Sequence, residues 1–544
     1  MPAGALQGKV RNWPVRLAGG ILVLGVLWYA PWLFLNVNTT TLWLAIPFAG
    51  ANVLIMLTTL ITFVNNWRRS SPPVYFVPEG TEPDVAVIIP TAGESVQMVA
   101  RTAESVLQQK WPNKHLIVLI SDDAHSSEMK VLADNLQRAY REAVVYYHEP
   151  PLRGSPERRG AAKAGNLNSA LDYIVHHYPH IQFIETRDAD DEVGDWEFLR
   201  HCVGQIMADM GVAYVQTIKE TRVSKGDPFA NLNGMFYRGS MLARHASNAV
   251  IPCGSGLVWH AAALLDIGGF PTWNLVEDLQ SGVEALRRGW RGVYLPIVGA
   301  IGQAAPEDIP NVYKQSGTWA LDTMRLFFWG DFRGLRLRQR LHFIELGLFY
   351  LQSVTVITIL LTLAVSLMTR TYPLTTTNFD YALHFWPFAL AIELFLAALN
   401  GGQRYEALLR QREMWMGLAP VFLRACIVAL LSGPRRKPIY HVTRKVNRFA
   451  WYWRETLPQM LLFALIVGAM IYGLLTTALL TEFDFGSAYW VLFYGVFLGA
   501  FIRKGWYGIR RRKSPTQPKG AAPPIVAETI LTVSDQHSHR HTKP

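Results

Sequence analysis

Long apolar runs alternate with short, strand-length ones, and this difference divides the chain into two textures. Six apolar runs read as membrane helices, at about residues 17–35, 42–64, 343–368, 383–399, 458–480 and 487–502. The first follows Lys9, Arg11 and Arg16 and is too long for a signal-peptide core, so it reads as a retained helix. Positive charge before that helix and after the second (Arg68, Arg69) predicts that both ends are cytoplasmic. A further stretch, 415–432, is apolar but short, contains Arg424 and has basic flanks on both sides. It reads as an interfacial or re-entrant helix. Arg325, Arg333, Arg336, Arg338 and Arg340 predict an amphipathic region over 325–342 lying on an anionic membrane face.

Between the second and third spans the period shortens. A proline-rich linker (70–83) leads to strand candidates at 85–90, 116–120 and 143–147, with helices at 94–109 and 128–140. The basic loop 153–163 runs into another helix, and a further strand begins at Ile181. Strands alternating with helices predict a doubly wound, parallel-sheet α/β domain over 84–324. The stretch from Ile181 to Asp191 organises it, because an apolar run there delivers acids to a strand's C-terminal edge, where ligands of such sheets bind. Asp188 and Asp190 lie two apart, a spacing that suits a hard divalent cation shared with substrate phosphates. Alone, such a pair is more often an acidic surface turn. Three strand ends carry acids, however: Glu94, Asp122 with Asp123, and Asp188 with Asp190. Three acidic ends on one rim read as a site.

Composition adds to this picture. Half of the residues are hydrophobic and 17% are charged, against about 25% charged in soluble proteins, which reads as a membrane protein with a sizeable soluble part. The net charge of +11 is accounted for by the basic flanks of the spans. No nucleic-acid motif accompanies it, so no nucleic-acid partner is expected. Cys202, Cys253 and Cys426 are far apart and lack metal-site spacing, which argues against a disulfide framework. The tail from Ser514 is rich in Pro, Ser and His and predicts disorder.

Taken in order, these residues resemble family 2 glycosyltransferases, specifically the processive, membrane-embedded branch typified by bacterial cellulose synthase catalytic subunits. The resemblance covers about residues 84–445. Pro90-Thr91-Ala92-Gly93-Glu94 resembles the motif that meets the nucleotide base, which makes Thr91 and Glu94 donor-side residues. The family's usual Tyr-Asn pair is Ala92-Gly93 here. Ser121-Asp122-Asp123 is similar to the aspartate motif that holds uridine, and Lys163-Ala164-Gly165-Asn166 to the segment whose lysine approaches the donor. Read unaided, Lys163 is also a suitable point charge for a diphosphate. Asp188-Ala189-Asp190 matches the motif that binds metal and diphosphate. Val276-Glu277-Asp278 stands where the family has Thr-Glu-Asp, so the resemblance makes Glu277 and Asp278 the catalytic pair, with Asp278 as general base.

Cys253-Gly254-Ser255-Gly256, Phe270 and Trp273 resemble the acceptor-side loop. Gln315 to Trp319 is similar to the Gln-x-x-Arg-Trp signature, with Trp319 stacking on the acceptor sugar and Gln315 nearby, but the arginine is Thr318. Tyr440 to Lys445 is similar to a gating loop that closes over bound UDP, with Thr443 and Lys445 reaching the phosphates.

The resemblance implies a GT-A-like (Rossmann-type) cytosolic domain inserted between transmembrane helices. The expected order is a membrane region (1–69), linker (70–83), transferase domain (84–324), interfacial region (325–342), membrane region (343–503, gating loop 434–457) and tail (504–544). It further implies an inverting enzyme of the inner (plasma) membrane, catalytic domain cytoplasmic, that uses Mg²⁺ or Mn²⁺. Its expected partners are UDP-sugar (UDP-glucose), a growing β-glucan extended and translocated at its 4- or 3-hydroxyl, membrane lipid, and a periplasmic export subunit. Thr318 keeps open a non-processive transferase acting on a lipid or short acceptor, and a synthase of another β-linked polysaccharide is a further alternative. A transporter with a regulatory domain fits less well, since apart from Glu345 and Glu393 the spans are nearly free of charge. About 40 residues follow the last span, and no PilZ-type control is expected in them.

Overall fold

The computed structural model describes residues 10–223, 229–231, 234–400, 402–438, 447–448, 450–476 and 485–507. Two long helices come first, α1 (Trp13–Leu35) and α2 (Leu42–Asn66). The α/β domain begins with β1 (Val85–Thr91), α3 (Val96–Leu107), β2 (Leu116–Asp122), α4 (Ser127–Ala139), β3 (Val144–His148) and α5 (Ala162–His177). It continues through β4 (Phe183–Thr186), β5 (Asp191–Val193), α6 (Phe198–Ala208), β6 (Val212–Thr221) and α7 (Met241–Ala246). Then come β7 (Leu257–His260), α8 (Ala261–Asp266), α9 (Glu277–Arg287) and β8 (Arg291–Gly302). The chain returns to long helices in α10 (Ile309–Trp329), α11 (Leu337–Thr369) and α12 (Asn378–Leu399). The last four are α13 (Tyr405–Gly417), α14 (Ala419–Ser432), α15 (Leu457–Thr476) and α16 (Phe485–Tyr507).

The eight strands form one sheet in the order β3-β2-β1-β4-β7-β6-β8-β5. From β3 to β4 every pairing is parallel, as the alternation of strands and helices predicts. Beyond β4 the sheet departs from the expected doubly wound parallel form. β7 runs antiparallel to both β4 and β6, and β5 runs antiparallel to β8. Gly254 and Gly256 take positive φ in the turn that leads into β7. Both faces of β1 are buried: Val85, Val87 and Ile89 pack with α3, α4 and α6, while Ala86 and Ile88 pack with α5. That two-sided burial is why the strand reads as an unbroken apolar run.

Among the described residues, six helices are long and apolar enough to cross a membrane: α1, α2, α11, α12, α15 and α16. The short apolar stretch after Trp415 is half of a broken pair, α13 and α14, bent by 55°. The stretch 325–342 is not one helix. α10 ends at Trp329, α11 begins at Leu337, and Arg325 is buried with its guanidinium 4.8 Å over the Trp273 ring. A guanidinium placed on an indole face is held by the ring's quadrupole and is not available to a lipid surface. α1 packs on α12 and α2, and α11 lies between α2 on one side and α14, α15 and α16 on the other.

Candidate active site

The turn that follows β4 is built before it can be used. Arg187 and Glu185 are fully buried and paired at 2.5 Å, and Arg187 also donates to the carbonyls of Glu192 and Gly299. The Asp191 N–H closes the turn on the Asp188 carbonyl at 3.0 Å. Glu185 and Arg187 are therefore structural, and they present Asp188, Asp190 and Asp191 together at the rim. A buried pair of this kind is costly to break, because either partner left alone is an uncompensated charge.

Asp188 lies between two lysines. Lys163 Nζ is 2.6 Å from one carboxylate oxygen and Lys219 Nζ is 2.7 Å from the other. Lys219 also reaches Asp191 at 2.7 Å, and the Asp188 N–H donates to Ser255 Oγ. Lys163 bridges onward to Glu277 at 3.3 Å. Burial pushes the lysine pKa values down, but Asp188 with Glu277 around Lys163, and Asp188 with Asp191 around Lys219, outweigh it and raise both. Burial raises Asp191, Lys219 opposes this, and the neighbouring Asp190 and Asp188 add to it.

Lys163 is placed by its surroundings. It is the second residue of α5, and the loop before it folds over Asp123, which pairs with Arg158 at 2.8 Å and Arg153 at 3.0 Å. Gly165 packs so closely on this loop that a Cβ would lie 2.3 Å from the Gly160 carbonyl oxygen. Asn166 donates to the Ser121 carbonyl at 2.8 Å, tying α5 to the end of β2. Asn168 exchanges hydrogen bonds with the backbone of Phe270 at 2.9 and 2.7 Å.

Asp278 occupies the first turn of α9, beside buried Glu277. Burial pushes its pKa up to about 7, with Glu277 adding to the rise and Lys163 opposing it. The Leu279 N–H donates to it at 2.6 Å. Gly254, at φ +75°, faces both groups, and a Cβ there would lie 3.1 Å from Lys163 Nζ and 3.2 Å from Asp278 Oδ2. Cys253 is anchored by its N–H on Gln216 at 2.7 Å, and burial pushes its thiol up to about 12, with Asp278 contributing. It is a neutral thiol at physiological pH, not a nucleophile.

On α10, Gln315, Trp319 and Asp322 follow at i, i+4 and i+7 and so share one face. Asp322 is buried, and its carboxylate accepts the Leu275 and Val276 N–H groups at 2.9 Å each, directly ahead of Glu277 and Asp278. This ties the Gln315–Trp319 face to the start of α9, and Trp319 is 44% exposed. Thr318 directs its hydroxyl to the Lys314 carbonyl at 2.7 Å.

The other acidic strand end has a different character. Asp122 is fully buried and accepts from Thr91 Oγ1 at 2.8 Å and from the Ala124 and Ser126 N–H groups at 3.0 and 2.8 Å. Glu94, half-buried, accepts the Ala92 N–H at 2.6 Å. Asp190 is buried, and its carbonyl accepts the Gln303 N–H. Thr443 and Lys445 lie outside the described residues.

The structure thus brings Lys163, Asp188, Gly254, Glu277 and Asp278 into one cluster and sets Thr91, Glu94, Asp122 and Asp123 at the adjoining ends of β1 and β2. Sequence reasoning missed Lys219 and Asp322, and it placed Asp191 and Ser255 within their stretches without giving either a role of its own. For Lys219 there was one signal, a lysine that follows the mostly apolar run Val212 to Ile218 within one strand. Among the described residues no three acidic, histidine or cysteine side chains converge as a metal-ligand set. The donor chemistry still suits a hard cation, which takes one or two carboxylates and completes its shell with substrate phosphate and water.

Comparison with known proteins agrees with this architecture. Residues 83–321 match the model described as "Glycosyltransferase like family 2". The chain is 28% identical over 407 residues to a putative cellulose synthase 2 of Komagataeibacter xylinus, covering 72% of this chain and 25% of that protein. It is 26% identical over 410 residues to the UDP-forming cellulose synthase catalytic subunit of Komagataeibacter sucrofermentans, covering 72% and 51%. The chain therefore spans a quarter to a half of the length of these relatives. In fold it is similar to a mannosyltransferase of Pyrobaculum calidifontis solved with GDP-Man and Mn²⁺, at TM-score 0.50 and 18% identity, covering 71% of this chain and 99% of that one. Residues 83–321 form a family 2 glycosyltransferase domain of GT-A-like fold, in a membrane protein related to cellulose synthase catalytic subunits.

Proposed function

We propose that this protein is a membrane-embedded inverting glycosyltransferase that polymerises a β-glucan from UDP-glucose and moves it across the membrane. One observation carries the reading: Lys163 joins Asp188 to the α9 start that bears Asp278. A donor-phosphate site and a candidate base of pKa about 7 are thereby adjacent.

The chemistry follows from those positions. Asp278 as carboxylate takes the proton of an acceptor hydroxyl while that oxygen bonds to the anomeric carbon. The bond from that carbon to the diphosphate oxygen breaks on the opposite face, and UDP leaves with the electron pair. One displacement inverts the anomeric centre. Lys163 and Lys219 exchange carboxylate partners for phosphate oxygens as the diphosphate arrives. Asp188 and Asp190 suit Mg²⁺ or Mn²⁺, which when bound offsets the negative charge of the departing diphosphate. Gly254 keeps the space between base and lysine open, and Trp319 offers an aromatic face to the acceptor sugar. In this reading the catalytic domain is cytoplasmic, the membrane is the inner (plasma) membrane, and the spans guide the polymer toward an export partner.

A non-processive transferase remains the second reading, because Thr318 brings no charge to its position. The deciding experiment uses protein in nanodiscs with Mg²⁺ or Mn²⁺ and a panel of radiolabelled UDP-sugars. Products are sized and digested with linkage-specific glucanases, with Asp278→Asn as control. A long product from UDP-glucose, absent in the variant, is expected. Short glycolipid products would select the second reading, and no transfer from any donor would sink both.

A further inference from the structure

Within the helical region, α11, α14 and α15 enclose an open groove of about 470 Å³. Ile357, Leu423, Ile427, Leu461 and Leu465 line it with aliphatic surface, and a single charged residue, Arg424, stands among them. Arg424 is exposed, and no carboxylate or carbonyl among the described residues accepts from its guanidinium. Its neighbours differ in this respect: Arg412 pairs with Glu393 at 2.6 Å and Lys504 with Glu413 at 2.7 Å.

A guanidinium beside hydrocarbon is costly unless an anion meets it, and such residues mark sites more often than accidents. The bilayer supplies a matching anion. A lipid phosphate presents oxygens to the planar guanidinium fork, and an acyl chain matches the aliphatic walls. Arg435 and Arg436, just past the end of α14, add attraction for an acidic leaflet. The opposite face of α14 is occupied: Phe422 and Ala425 pack with α10, and Trp329 Nε1 donates to the Ala429 carbonyl at 2.9 Å. α14 therefore separates the groove from the helix that bears Trp319 and Asp322.

We propose that an acidic phospholipid of the surrounding bilayer binds in this groove, its phosphate on Arg424 and one acyl chain along Leu423, Ile427, Leu461 and Leu465. The binding claim is independent of the proposed reaction. Native mass spectrometry of the full chain, loaded with phosphatidylglycerol or phosphatidylcholine of identical acyl chains, tests it. Wild type is expected to retain phosphatidylglycerol with roughly tenfold preference, because the choline ammonium of phosphatidylcholine offsets the phosphate charge that Arg424 meets. Arg424→Gln should abolish the preference, while Ile427→Trp, which keeps the charge and fills the groove, should reduce retention of both lipids. Equal retention of the two lipids by wild type overturns the proposal, as does an undiminished preference in Arg424→Gln. Retention of a polyisoprenyl phosphate in clear excess over phosphatidylglycerol would also overturn it, giving the groove to a lipid-linked substrate. If Arg424→Gln does not fold, the Ile427→Trp result decides between these outcomes.

Discussion

The acidic ends of β2 and β4 look alike in the sequence and are used differently in the folded protein. Asp122 is saturated by two backbone N–H groups and the Thr91 and Tyr147 hydroxyls, and Asp123 by two arginines. These carboxylates hold a loop. Asp188 is met by the ammonium groups of two lysines, each on a long flexible stem and about a quarter exposed. Those partners can be exchanged for a ligand's phosphates without unfolding a turn. A buried carboxylate with fixed backbone donors is architecture, whereas one held by mobile ammonium groups is poised for a charged ligand.

The widest separation between the two ends should appear in matched variants. Asp188→Asn is expected to lower transfer by about 100-fold or more, the scale of losing a preorganised charge contact, with little change in melting temperature. Asp122→Asn should do the reverse. It removes the charge from a buried acceptor of four donors and should cost about 1–3 kcal/mol of stability, read from denaturant midpoints, with a smaller effect on rate. If both variants melt alike and both lose transfer equally, the distinction between the two ends fails.

Lys219→Gln probes the mobile partner. UDP affinity, measured by calorimetry, should fall by roughly tenfold or more, as for one charge-assisted contact, while uridine affinity, from competition, holds. A third measurement follows the base. Because Asp278 must be ionised to accept a proton and burial holds its pKa up at about 7, kcat/KM should climb with pH at roughly tenfold per unit below that value and level above it. Lys163 opposes that rise, so Lys163→Met should move the profile to higher pH. Gly254→Ala should show the smallest effect. Its left-handed backbone costs about 1–2 kcal/mol with a side chain, and the added methyl crowds Asp278 enough to slow transfer modestly.

How much was legible depended on range. β1 and β2 announce themselves because they are buried on both faces and so consist of unbroken apolar runs. Glu277 and Asp278 stand together in one helix turn, so a local motif suffices to find them. Lys219 and Asp322, and the contact that Ser255 makes, escaped because their partners are remote in the chain. Each matters only through a partner 31 to 67 residues away, as in Lys219 to Asp188 and Ser255 to Asp188, or, for Asp322, through N–H groups 46 and 47 residues earlier. The arginine-rich stretch after Met324 was split for the same reason, its first arginine joining the core. Packing buries Arg325 against Trp273, and Arg333, Arg336, Arg338 and Arg340 stay exposed.

Apolar period and length therefore determined by themselves which segments form helices long and apolar enough to cross a membrane and which build the parallel half of the sheet, since both depend on burial of neighbouring residues. Tertiary structure alone decided the antiparallel half, the break between α13 and α14, and which acids face lysines and which face backbone. Those outcomes depend on contacts between segments distant in the chain, whose cost and gain are settled only when the segments meet.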